Sequence, residues 1–183
     1  YVLKSFCLIN LSKINSPNPF FFSGSKSVID TQADNFIKTI IAYFGIILYM
    51  ILLFLIAGYI IGSFPTAYFV VKTFTGRDIR KEETGNVGAM NTARATGKFY
   101  LFFLVFIIDV FKGYLGVLVP HMFAYLNYDL KLAITFGAFG VVLGHCYSLY
   151  FYIKDRKFSG GKAIASLFGI LIGVDFYNLF MPW

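Results

Sequence analysis

Charge is scarce in this sequence. Only 14% of its 183 residues are Asp, Glu, Lys or Arg, against about 25% in an ordinary soluble domain. Cysteine is limited to Cys7 and Cys146, and histidine to His121 and His145. That leaves neither a disulfide framework nor a metal-ligand spacing, so no metal or other cofactor is expected. His-Glu-x-x-His and Gly-x-Ser-x-Gly are both absent, which excludes the zinc-peptidase helix and the serine-hydrolase elbow. Neither histidine opens a His-x-x-x-x-Asp pair, and the single tryptophan is Trp183. What fills the chain is apolar: 58% hydrophobic, with 23 Phe and 13 Tyr, and a mean hydropathy of +0.71. A soluble protein of this size has too much surface for its volume to hide so many apolar side chains. The composition therefore specifies an all-α, polytopic integral membrane protein.

Four apolar runs give the expected spans. Residues 39–71 carry no charge over 33 positions, where about 20 suffice to cross a bilayer. This run is too short for two spans and a turn, so one long or broken helix is expected, with Pro65 as its kink. The others cover residues 99–119, 132–153 and 163–180. Asp109 and Lys112 lie three apart inside the second, on one helical face. Ionisable groups are costly there, and an ion pair bracing the helices is the favoured reading. Gly137, Gly140 and Gly144 should let the third span pack closely against a neighbour.

The basic residues fix the orientation. The connection 72–98 holds six Lys and Arg, 154–162 holds four, and 120–131 holds only Lys131. Two spans separate the two basic connections, so both lie on one side, which the positive-inside rule makes cytoplasmic. The net charge of +7 thus serves orientation and anionic small molecules, not nucleic acid. Residues 1–38 are polar by comparison, without the order of a signal peptide. They are expected to form a disordered or non-native extension to a membrane domain over 39–183.

Both basic connections carry residues suited to phosphate. In the first, Gly85 and Gly88 should let the backbone turn and expose N–H groups as an anion nest. Thr84, Asn86 and Asn91 add directional hydrogen bonds, and Arg94 adds a planar fork. The second holds Gly160-Gly161-Lys162 at the start of an apolar helix, where free N–H groups and the helix dipole attract an anion. It is not a P-loop, since no glycine stands five residues before Gly161 and Ala163 replaces the Ser or Thr. A turn-rich loop oriented by its charges and a helix start with a snorkelling Lys162 remain open for the two segments taken singly. His145 is a buried hydrogen-bond anchor or a general base.

Taken together and in order, these residues resemble the PlsY family, the acyl-phosphate-dependent glycerol-3-phosphate acyltransferases of bacterial membranes. Gly62-Ser63-Phe64-Pro65 matches the Gly-Ser-x-Pro of its first helix, and Asp78-Ile79-Arg80 its Asp-x-Arg. Residues 83–94 match Gly-Ser-Gly-Asn-x-Gly-Ala-Thr-Asn-x-x-Arg, residues 109–113 match Asp-x-x-Lys-Gly, and Gly144-His145 matches Gly-His. Residues 158–166 match Phe-Lys-Gly-Gly-Lys-Gly-x-Ala-Thr. Departures are Glu83 for Gly, Thr84 for Ser, Met90 for Thr, Ser148 for Pro, Ser159 for Lys and Ala163 for Gly. About five extra residues stand between His145 and Phe158. The family pattern also continues, beyond the residues matched here, into further helices and a third motif rich in His, Asn and Arg.

The resemblance implies that a fatty acyl group passes from acyl phosphate to the sn-1 hydroxyl of glycerol 3-phosphate, giving lysophosphatidic acid in phospholipid biosynthesis at the bacterial inner membrane. Thr84, Arg94, His145 and Lys162 are then the expected catalytic residues. Ser63, Gly85, Asn86, Gly88, Asn91, Gly160 and Gly161 are the expected substrate-binding ones. Acyl phosphate is already activated, so positioning and charge stabilisation can carry the reaction without a covalent nucleophile. Two rival readings stand beside it. One is a small transporter or channel subunit for an organic anion, which the Asp109 and Lys112 pair suits although no inverted repeat is visible. The other is an inactive fragment of the acyltransferase.

Overall fold

Hydrocarbon offers a backbone no water to bond, so apolar runs of this length must satisfy their own N–H and C=O groups as helices. The computed structural model of the chain describes residues 28–124 and 129–180, with side chains over 30–124 and 129–176. Among the described residues every regular element is helical: α1 (Val28–Gly62), α2 (Thr66–Thr75), a 3-10 turn (Ile79–Lys81), α3 (Ala89–Thr96), α4 (Phe99–Met122), α5 (Leu130–Cys146), α6 (Leu149–Asp155) and α7 (Ile164–Phe180). Among the described residues, three helical segments are long and apolar enough to cross a membrane: Asp30–Thr75, Phe99–Met122 and Leu130–Asp155. The expected fourth span is the shorter α7, whose 17 residues reach about 25 Å. Their outer surfaces remain apolar, with Phe44 69% and Ile107 63% exposed, as lipid-facing side chains require.

The chain divides into two units, Tyr1–Ile41 and Ala42–Trp183. In the first, residues 28–38 of the expected extension are helical, while Cys7 and the rest of that extension lie outside the described residues, as does Trp183. The second unit holds the helices that build the site. Its first span breaks where expected. Pro65 has no N–H to donate, and α1 ends at Gly62 before α2 starts at Thr66.

The third span departs from expectation. Its helix breaks at Tyr147 and Ser148, although Ser148 stands where the resembled pattern has proline. The reason is local: the Ser148 N–H donates to the Ser159 carbonyl at 3.1 Å, and its hydroxyl donates to the buried Ser63 carbonyl. The N–H leaves the helix ladder for a tertiary acceptor, and the hydroxyl adds a second tertiary bond. The first basic connection differs as well, since α2, the 3-10 turn and α3 occupy much of it.

Glycines set the helix spacing. A Cβ at Gly58 or Gly62 would overlap backbone atoms of Gly137 and Val141, and one at Gly140 or Gly144 would overlap Leu55 and Tyr59 carbonyls. Helices α1 and α5 therefore meet through small residues four apart on each side, a close backbone contact only glycine permits. The expected packing role of Gly137, Gly140 and Gly144 is met. Gly113 on α4 faces the Ser166 carbonyl on α7, and Gly169 faces Val110 in return.

Candidate active site

The two basic segments meet. The Val87 N–H donates to the Gly160 carbonyl at 3.2 Å, and the Gly161 N–H donates to the His145 carbonyl at 3.0 Å. Loops one and three thus share one face of the helical layer, as the charge pattern requires. Both glycines are demanded by proximity. A Cβ on Gly160 would strike the His145 and Cys146 carbonyls, and one on Gly161 would strike the His145 ring and the Val87 carbonyl.

His145 is buried at the end of α5, with its ring between these loops and α7. Nδ1 lies 3.4 Å from the Ser166 hydroxyl, and Nε2 faces Gly161. Of the two roles open for it, anchoring is the one with visible contacts, since its carbonyl accepts from Gly161 in the third loop and its ring reaches Ser166 on α7. Behind it, Lys112 Nζ sits 2.7 Å from Asp109 Oδ1 and donates to the Phe64 carbonyl at 2.8 Å. Asp109 Oδ1 accepts no well-aligned hydrogen bond, so the 2.7 Å contact is an ion pair rather than a directed bond. The expected brace is present, and it ties α4 to the break between α1 and α2.

A narrow cleft opens between these groups, lined by Ser63, Thr66, Val87, Lys112, His145 and Gly160 among others. Its volume of about 10 Å³ is near the minimum for one water. A group the size of a phosphate ester does not fit the cleft at this volume. Ser63 lines the cleft, but its hydroxyl donates to the Tyr59 carbonyl at 2.7 Å, so it meets a ligand only by giving up that bond. Thr66 carries a buried hydroxyl with no hydrogen-bond partner among the described residues.

The first loop is built differently from the nest expected of it. Its successive N–H groups are already spent, four inside the loop and one on the third loop. Thr84 donates to Asn91 Oδ1, Gly85 to the Glu82 carbonyl, Asn86 to Thr84 Oγ1, Val87 to Gly160 and Gly88 to the Asn86 carbonyl. Gly85 needs its glycine, with φ at 68° and a Cβ that would meet the Arg80 carbonyl. Gly88 is extended at φ −157° and caps α3, so backbone conformation does not demand glycine there. The free N–H groups are those of the first turn of α3, which has no side-chain cap. At α7 the residue before the first helical position is Ala163, which has no side-chain oxygen to cap it.

Asn91, expected to touch substrate, is 2% exposed and committed to the loop. Its Nδ2 donates to the Glu82 and Ile79 carbonyls, and its Oδ1 accepts from Thr84 N–H and Oγ1 at 3.2 and 3.0 Å. It shapes the loop that presents Thr84. The side-chain amide of Asn86 has no hydrogen-bond partner among the described residues. Arg94 and Lys162 are exposed and make no ion pair with a described residue. Arg94 stands in the last turn of α3, about 9 Å along the helix from Gly88, and no described contact joins it to the third loop. The neighbouring cations are occupied instead. Arg77 pairs with Glu82 at 2.7 Å and donates to the Ala95 carbonyl at 2.7 Å, holding the C-terminal end of α3. Arg80 pairs with Asp78 and Asp155.

The sequence reading missed Ser166, Thr66 and Asp155. Ser166 stands where the resembled pattern has Thr and so had a signal. Thr66 and Asp155 had none apart from the position after Pro65 and the lone acid in a basic segment.

Known proteins are similar to this chain. The family model described as glycerol-3-phosphate acyltransferase matches residues 52–183. A glycerol-3-phosphate acyltransferase of Thermosipho melanesiensis is 39% identical over 126 residues, covering 69% of this chain and 54% of its own. One of Staphylococcus haemolyticus is 38% identical over 132 residues, covering 69% and 61%. The chain thus spans little more than half the length of these curated relatives. Among solved structures, the glycerol 3-phosphate form of PlsY (YgiH), an integral membrane glycerol 3-phosphate acyltransferase, superimposes with a TM-score of 0.56 at 34% identity, over 71% of this chain and 60% of that one. Its lysophosphatidic acid form gives 0.54 at 31% identity, with the same coverage. With a family match over residues 52–183 that takes in both basic loops, His145 and the Asp109–Lys112 pair, this chain belongs to the glycerol-3-phosphate acyltransferase family.

Proposed function

We propose that the protein transfers a fatty acyl group from acyl phosphate to the sn-1 hydroxyl of glycerol 3-phosphate, releasing phosphate and lysophosphatidic acid. The observation that carries this reading is the junction of the two basic loops at Val87, Gly160 and Gly161. Both substrates bear phosphate, and each of the two joined segments carries an exposed cation, Arg94 in one and Lys162 in the other, with no ion-pair partner among the described residues. The hydroxyl oxygen attacks the acyl carbonyl carbon, the bond from that carbon to the phosphate oxygen breaks, and the hydroxyl proton ends on the released phosphate. Lys162 and Arg94 neutralise the phosphate oxygens as charge shifts onto them. Thr84 and Asn86 orient the glycerol phosphate, Gly160 and Gly161 bring the third loop close, and His145 holds that loop in register. The acyl chain lies along the Phe-rich helices, in membrane lipid. By the charge asymmetry of the connections, the face the two loops share is the cytoplasmic one of a bacterial inner membrane.

The experiment is a binding titration of glycerol 3-phosphate against the complete protein in detergent, with Lys162→Ala beside it. A charge-assisted hydrogen bond contributes about 1.5–3 kcal/mol, so the variant should bind at least about tenfold more weakly. Equal affinity in the two proteins overturns the assignment of Lys162.

A further inference from the structure

We propose that Arg80 and Asp155 form a positioning clamp that fixes the spacing of the two phosphate loops, and that the longer segment after His145 supplies its acidic half. Arg80 stands in the 3-10 turn that leads into the first loop. Its backbone N–H and its Nε both donate to Asp78 Oδ1 at 3.0 Å, and Nη2 donates to Asp78 Oδ2 at 2.6 Å. That bidentate grip uses one edge of the guanidinium and leaves Nη1 pointing away, where it donates to Asp155 Oδ2. The plane lies over the fully buried Phe151 ring, 4.4 Å from its centroid, and 5.7 Å from that of Tyr68. An arginine can make both contacts at once because its donors form a rigid fork, whereas a lysine ammonium cannot.

Asp155 is the last residue of α6, and the chain reverses immediately after it through Arg156 in the left-handed region at φ 56°. Gly160 follows five residues later. The clamp therefore grips the third loop from its entry side, while the Ser148 to Ser159 hydrogen bond closes its base. This is also the stretch where the chain carries about five residues more than the resembled pattern. A longer connection would otherwise let the Gly160 carbonyl drift from the Val87 N–H. The pair is partly exposed, at 20% and 34% of the two side chains, and Arg80 keeps Asp78 when Asp155 is neutralised. Removing Asp155 thus strands no buried charge and leaves the fold intact, so its effect falls on loop register.

Two measurements on the complete protein in detergent micelles test this, with Asp155→Asn, Arg80→Lys and Asp155→Glu as variants. The first is hydrogen exchange at the Val87 amide, which reports the junction itself. Asp155→Asn and Arg80→Lys should each exchange about fivefold faster, as expected for loss of one partly exposed ion pair, and Asp155→Glu should exchange like wild type. The second rests on the acyl-transfer reading: kcat should fall about five- to tenfold in the first two variants, with KM for glycerol 3-phosphate within about twofold, since alignment rather than binding is lost. Unchanged Val87 exchange in Asp155→Asn overturns the clamp. Faster exchange with unchanged kcat overturns its positioning role. If wild type transfers no acyl group from any donor, the functional reading fails, and the exchange result still decides the clamp.

Discussion

Gly161→Ala is the most informative single change at the loop junction. Gly161 does not have the positive φ of Gly85 or Gly97, so alanine adds no backbone strain and the effect is purely steric. The added methyl would stand 2.5 Å from the Val87 carbonyl oxygen, short of an ordinary 3.4 Å contact by about 0.9 Å, and would also press on His145 Nε2. Neither neighbour yields easily: Val87 is tied to Gly160, and the His145 ring is enclosed against Ser166. The third loop must retreat by about 1 Å. A displacement of that size near reacting groups costs on the order of 10²-fold in rate, or about 2.7 kcal/mol of activation free energy. The assay is lysophosphatidic acid formation from radiolabelled glycerol 3-phosphate in membranes, normalised to protein by immunoblot. Gly45→Ala is the control, since a Cβ there meets nothing within 4 Å. Wild-type turnover in Gly161→Ala would refute the claim that loop contact governs the reaction.

Other expectations follow from the same geometry. Lys162→Ala and Arg94→Ala should each abolish acyl transfer while inserting into membranes normally, and full activity in either refutes its role. Lys112→Ala leaves Asp109 buried without its cation and should cost about 3–5 kcal/mol of stability, read as a lowered Tm in detergent; an unchanged Tm would show that the pair braces nothing. Asp78 is held below its ordinary value of 3.8, first by the hydrogen bond from Arg80. Because the folded value is the lower one, the stabilisation is complete above 3.8 and is lost as pH falls through the folded value. Stability of the first loop, followed by hydrogen exchange, should therefore stay flat from about pH 5 to about pH 8 and decline only in stronger acid. Asp78→Asn should lower it at neutral pH and make the acid decline smaller.

The parts of the fold visible in the sequence were those set by hydropathy and charge. An uncharged run of 33 residues, the interruption at Pro65, the glycines of the third span and the shared side of the two basic connections all follow from one-dimensional patterns. What escaped detection depends on tertiary partners. Nothing local breaks a helix at Ser148, whose bonds go to Ser159 and Ser63. The glycines and asparagines of the first loop suggested an anion nest, yet whether an N–H is free depends on which acceptors fold back onto it, and Asn91 closes that loop from the inside. Which carboxylates hold Arg77 and Arg80 was not readable, whereas Arg94 and Lys162, the two cations expected at the site, make no ion pair with a described residue. The Asp155 partner was hidden because it lies 75 residues from Arg80.

The central claim is acyl transfer onto glycerol 3-phosphate from an activated acyl phosphate. Purified membranes containing the complete protein should be given radiolabelled glycerol 3-phosphate with either acyl phosphate or acyl-CoA. Labelled lysophosphatidic acid formed with acyl phosphate alone is the predicted result; product only with acyl-CoA, or with neither donor, would contradict it.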